Sequence, residues 1–202
     1  MRHGLIVLPL LLVGCGGPEA EPDATPSVVI TGNDNELIVP VPRPAENAAA
    51  AAGPGVNLAP GGLGLALDGG VTRPVTFGMP RATVTRMLAT ALGNPIEEGD
   101  NQECGAGALA FASFRGGLGT YFQDGKFVGW DLDGRDGGHF ATAAGIGIGS
   151  TRKQLESAGT VTIEDSTLGI EFSAGALSGL LTSREPDGEV SNLWSGTTCI
   201  AR

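Results

Sequence analysis

The sequence predicts an α+β fold of two tandem helix-plus-antiparallel-strand repeats, with the helices packed on one face of the sheet. Three observations predict it. A firm amphipathic stripe runs through residues 84–92, two stretches begin alike, "VTFGMPRATVTRMLATALGNP" at 75 and "GIGIGSTRKQLESAGTV" at 145, and short alternating segments follow each. Glycine supplies 34 of 202 residues and aromatics only 5%, which favours many turns and thinly filled short strands over long helices.

The chain opens with "MRH" and then "GLIVLPLLLVG", a charged start before an apolar run of eleven. This is the layout of a secretory signal, expected over residues 1–14. Eleven residues are too few to span a bilayer, which needs about 20. Leu12, Val13, Gly14 and Cys15 closely resemble the bacterial lipoprotein box, a small residue before an invariant cysteine. The resemblance implies cleavage after Gly14 and lipidation of Cys15, whose two or three acyl chains anchor essentially permanently where one binds marginally. Gly16 follows where inner-membrane lipoproteins often carry aspartate, so the resemblance implies the outer membrane, facing the periplasm.

Residues 15–57 are rich in proline, alanine and acids and read as a lipidated N-terminus and disordered linker. The apolar pieces "SVVIT" and "ELIVPV" are left within it. Residues 58–202 are expected to form a single α+β domain, its repeats at about 75–135 and 143–196, since domains usually run to about 100–150 residues.

The first predicted helix buries Val84, Met87, Leu88, Ala91 and Leu92, with Pro80 at its first turn and Gly93 just past its end. After it come "ALAFASF", "GLGTYFQ" and "KFVGWDL", the last two joined through Asp124 and Gly125, a strong hairpin signal. The second helix is expected to be capped by Ser150, to face Leu155 and Ala158 inward and to stop at Gly159. "TVTIE", "LGIEF", "ALSGLLTS" and "EVSNLW" follow, the last pair joined by Pro186, Asp187 and Gly188.

The paired starts "FGMPRATVTRML" and "IGIGSTRKQL", with the tryptophan-bearing strands "VGWDL" and "NLWSG", resemble the architecture of the β-lactamase inhibitory protein and of outer-membrane β-barrel assembly lipoproteins. The chain is also similar to bacterial envelope lipoproteins for which no activity is implied. Members of that architecture bind proteins and are not enzymes.

Acids outnumber bases 22 to 12, which disfavours nucleic acid as a partner. Cys104 and Cys199, in a chain sent to an oxidising compartment, are expected to form a disulfide. A catalytic thiol would need a base, and the only mature histidine is His139. Residues 131–139, "DLDGRDGGH", resemble a calcium loop superficially, but Arg135, Asp136 and Thr142 stand where an EF-hand requires a ligand, a glycine and a glutamate. "GIGIGS" lacks the lysine of a phosphate loop, and Ser150 replaces the third glycine of the dinucleotide fingerprint. No cofactor, metal site or small-molecule substrate is therefore expected. The functional expectation is a lipid-anchored, non-enzymatic protein-binding or assembly module, with a periplasmic hydrolase or other enzyme as the alternative. Tyr121, Phe122, Trp130 and Trp194 are the candidate partner-binding residues, those that point away from the helices being contacts and the others core.

Overall fold

The computed structural model describes residues 55–67, 71–136 and 139–200. The expected signal peptide, Cys15 and almost all of the linker lie outside the described residues. Three strands come first, β1 (Val56–Ala59), β2 (Gly62–Ala66) and β3 (Thr72–Thr76). Helix α1 (Arg81–Leu92) precedes β4 (Glu97–Asn101), β5 (Leu109–Phe114), β6 (Leu118–Gln123) and β7 (Lys126–Asp133). Helix α2 (Arg152–Ala158) precedes β8 (Thr162–Ser166), β9 (Gly169–Ala174), β10 (Leu177–Leu181) and β11 (Val190–Gly196).

The expected α+β class, with helix-plus-strand repeats as its organising unit, is overturned. The described chain is mostly antiparallel β, eleven strands in two sheets with only two α-helices. Two features escaped the sequence reading. Residues 56–76 form a separate three-stranded sheet in the order β1-β2-β3, hidden because "VNLA" is only four residues long and "GLGLA" is interrupted by glycine. The exposed, acidic "EEGDN" forms β4, paired to β5 by backbone hydrogen bonds and not by an apolar face of its own.

The larger sheet has eight strands in the order β4-β5-β6-β7-β11-β10-β9-β8, every pair antiparallel. Its hairpins follow from local chemistry. Asp124 and Gly125 take positive φ (50° and 71°) between β6 and β7, as the sequence predicts. Gly116 and Gly117 turn β5 into β6, also at positive φ.

Alternation then sorts side chains between two faces. Leu118, Thr120 and Phe122 of β6 face inward and are 0–1% exposed. On β7 the register slips between Tyr121 and Phe122, which pair with Gly129 and Phe127, so that Val128 is bulged out of the ladder. The bulge lets Phe127 and Trp130, three residues apart, both enter the core.

The inner face is covered by the small sheet and both helices. Trp130 Nε1 donates to the carbonyl of Ala59 at 3.0 Å, tying the large sheet to the β1–β2 turn. Ser195 Oγ lies between the carbonyls of Pro60 and Ala176. Buried Thr120 donates its hydroxyl to the carbonyl of Ala112 at 2.9 Å, which offsets the cost of taking the polar group out of water.

Helix α1 lies where the stripe predicts. Pro80 is its N-cap and Gly93 its C-cap, the Gly93 N–H reaching the carbonyl of Ala89. Val84 and Leu88 are fully buried in the common core, with Met87 and Ala91 packed against it. Each such aliphatic side chain contributes about 1.5–3 kcal/mol by burial. The second helix departs from expectation in two details. Its cap is Thr151, which forms a reciprocal capping box with Gln154, while Ser150 Oγ accepts from the N–H of Gly147 in the preceding turn. Leu155 is buried but Ala158 is exposed, because seven residues present only one inward position.

Candidate functional site

The outer face of the large sheet is built from the residues that alternate with the core set. Gly119 and Tyr121 of β6, Asp131 and Asp133 of β7, and Asn192 and Trp194 of β11 occupy it, in register across the three strands. Two of the four aromatic candidates are thereby corrected. Phe122 and Trp130 are 1% and 0% exposed and belong to the core, Trp130 because the Val128 bulge fixes its face. Trp194 does lie on the outer face, yet it is only 6% exposed, edging a groove with Gly105, Ala106 and the residues after β11. Tyr121 alone of the four is half-buried on that face.

Tyr121 Oη donates to Asp131 Oδ2 at 3.1 Å. Gly119 makes this possible, because a Cβ there would lie 2.1 Å from Asp131 Oδ1. The carboxylate therefore lies flat across β6. Burial is the main cause that pushes the Asp131 carboxyl up to about 6; Asp133 adds to the rise, while the bond from Tyr121 and the charge of Arg135 oppose it. Burial, with the charge and hydrogen-bond acceptance of Asp131, raises the Tyr121 hydroxyl as well, so the phenol stays a donor.

This pair floors a cavity of about 310 Å³, lined among others by Ile96, Glu97, Asp133 and Arg135. Asp133 Oδ2 accepts from Arg135 Nε at 2.7 Å. The same outer register places Glu171 of β9 opposite Glu164 of β8 at the other end of the sheet.

The remaining sequence candidates fall elsewhere. His139 is exposed, and no hydrogen bond among the described residues joins it to Tyr121 or Asp131. Among the described residues no group of three or more His, Cys, Asp or Glu is arranged to hold a metal ion. Within the calcium-like loop, Asp131 faces Tyr121 and Asp133 faces Arg135. The "GIGIGS" segment is a local turn, with Gly145 and Gly149 at positive φ.

Cys104 is buried, Cys199 is half-buried, and both are free thiols in the structure rather than the expected disulfide. They are neighbours nonetheless. Cys104 Sγ lies 3.8 Å from the carbonyl of Thr198, and Asn101 Nδ2 donates to Cys199 Sγ at 3.2 Å. Burial, then the Cys104 thiol beside it, pushes the Cys199 thiol up to about 11.

Sequence reasoning missed Gly119, Glu97 and the Tyr121–Asp131 pairing. The available signal was the i, i+2 alternation of Gly119 with Tyr121 and of Asp131 with Asp133. No family model matches this chain, and no curated protein or solved structure matches it.

Proposed function

We propose that the protein is a lipid-anchored, non-enzymatic binding module of a bacterial cell envelope. Cys15 holds it to the outer membrane on the periplasmic side. The outer face of its eight-stranded sheet receives a partner protein that presents lysine or arginine side chains. The lipoprotein box supports the anchor, and the proline- and alanine-rich stretch after it supports a tether.

The observation that carries the binding role is the charge of the outer face. The inner face is committed to the core, whereas Tyr121 sits on the outer face among Glu97, Asp131 and Asp133, with Glu164 and Glu171 farther along the same sheet. An aromatic ring that shares a cavity with three carboxylates and one arginine complements a cationic side chain twice, through the ring face and through the excess negative charge. The chain's formal net charge of −10 favours the encounter.

Titration of the full chain with a lysine-rich peptide tests this. Binding should weaken with salt. Tyr121→Ala and Glu97→Lys should each weaken it about tenfold, whereas Glu156→Lys, the same charge change placed on α2, should leave it within about twofold. Equal losses from Glu97→Lys and Glu156→Lys would reduce the effect to net charge, and no measurable binding would remove the proposal.

A further inference from the structure

Cys104 and Cys199 come from segments that have no ladder to bring them together. Cys104 lies in the connection between β4 and β5; Cys199 lies in the tail beyond β11. In the sheet order β5, β6 and β7 stand between β4 and β11. Strands spaced about 4.8 Å apart put those two roughly 19 Å from each other. The three tail residues from 197 to 199 reach at most about 10 Å, so the β4–β5 connection must come to meet them.

The chemistry beneath the tail is arranged for that crossing. Gly129 has no side chain where the tail passes, and a Cβ there would lie 2.0 Å from the carbonyl oxygen of Thr197. Thr197 N–H continues the ladder onto the carbonyl of Val128, the bulged residue, at 2.9 Å. Asn101, the last residue of β4, donates to Cys199 Sγ, and Cys104 Sγ turns to the carbonyl next to Cys199. Trp194 lies beside this crossing.

We propose that Cys104 and Cys199 are a disulfide-forming modification site, in which oxidation locks the tail to the β4–β5 connection across the outer face and keeps Trp194 covered. The two thiols are not bonded in the structure, so the bond has still to close. The oxidant is an exchanging disulfide, RSSR. Cys199, the better exposed, gives up its thiol proton and attacks one sulfur of RSSR, forming a mixed disulfide and expelling one RS⁻, which takes that proton. The Cys104 thiolate then attacks the Cys199 sulfur of the mixed disulfide, forming the Cys104–Cys199 bond and expelling the second RS⁻. Two electrons and two protons leave the protein, and RSSR becomes two RSH. Beyond Thr197, which stays hydrogen-bonded to the Val128 carbonyl, the tail belongs to no strand, so closing the bond need displace no ladder.

Oxidised glutathione serves as the probe on the full chain, read by non-reduced peptide mapping and by thermal unfolding. The expected result is one cross-link between the peptides containing Cys104 and Cys199, with no glutathione retained. The oxidised protein should melt about 10 °C above the same sample in dithiothreitol. Cys104→Ser should stall at a single glutathione adduct on Cys199. The proposal is overturned if both thiols stay alkylatable, if either holds glutathione in the otherwise unchanged chain, or if the cross-link goes to Cys15. The wild-type mapping decides the matter even if the variant does not fold.

Discussion

Asp131 shows how one residue's environment becomes a pH dependence. Its carboxyl is held at about 6 in the folded protein against 3.8 for an ordinary aspartate, mainly by burial across β6. The folded state therefore binds this proton more tightly than the unfolded chain does. The contribution is fully present below about pH 4 and is lost as pH rises through about 6. Asp131→Asn places a neutral group there at every pH. Wild type should consequently lose up to about 2 kcal/mol of stability relative to Asp131→Asn between about pH 4 and pH 7. Denaturant unfolding at several pH values measures the difference, and two parallel profiles would mean that the carboxyl titrates as an ordinary surface group. Of this local chemistry, the sequence carried only the residue types. Asp131 stood out as the first acid of a failed calcium loop, because nothing local indicated that Gly119 on the adjacent strand leaves it room to meet Tyr121.

At the scale of elements, the helix α1 was legible to its ends, since Pro80, the apolar stripe and Gly93 are all local signals. Its energetics belong to the packing. Leu88 is 0% exposed within the core shared by both sheets, so Leu88→Ala should cost about 3 kcal/mol through lost transfer energy and a residual cavity. Ala82 on the opposite side is exposed, and Ala82→Ser should change stability by less than about 0.5 kcal/mol. Equilibrium unfolding of the two variants checks the contrast, and equal effects would contradict the burial of this stripe. The β6–β7 hairpin was as readable as α1 because Asp124 and Gly125 tolerate positive φ. The bulge at Val128 was not readable. A strict period of two would send Phe127 and Trp130 to opposite faces, and only the partner register shows that both point inward.

At the scale of the whole molecule, the anchor and the folded part answer to different physics. The proposed attachment depends on one thiol at position 15 and on acyl chains contributing about 0.8 kcal/mol per buried CH₂. Cys15→Ser should therefore abolish acylation and move the protein from the membrane fraction to the soluble fraction, with its thermal unfolding unchanged. Membrane retention at unaltered mass would remove the lipoprotein reading. No helix among the described residues is long and apolar enough to cross a membrane.

What depends on neighbours along the chain was legible before any fold was known. That includes the extent of α1, the positions of β5, β6 and β7 and the Asp124–Gly125 turn. The tertiary structure alone decided what depends on pairing between distant segments: the separate β1-β2-β3 sheet, the recruitment of acidic β4 to the sheet edge, and the burial of Trp130 against Ala59. It also decided that Tyr121 faces Asp131 and that Cys199 faces the Cys104 connection. The physical reason is that a strand's face and partners are set by register. One bulged residue reverses the face of every side chain beyond it, and no periodicity along a single strand carries the position of its neighbour.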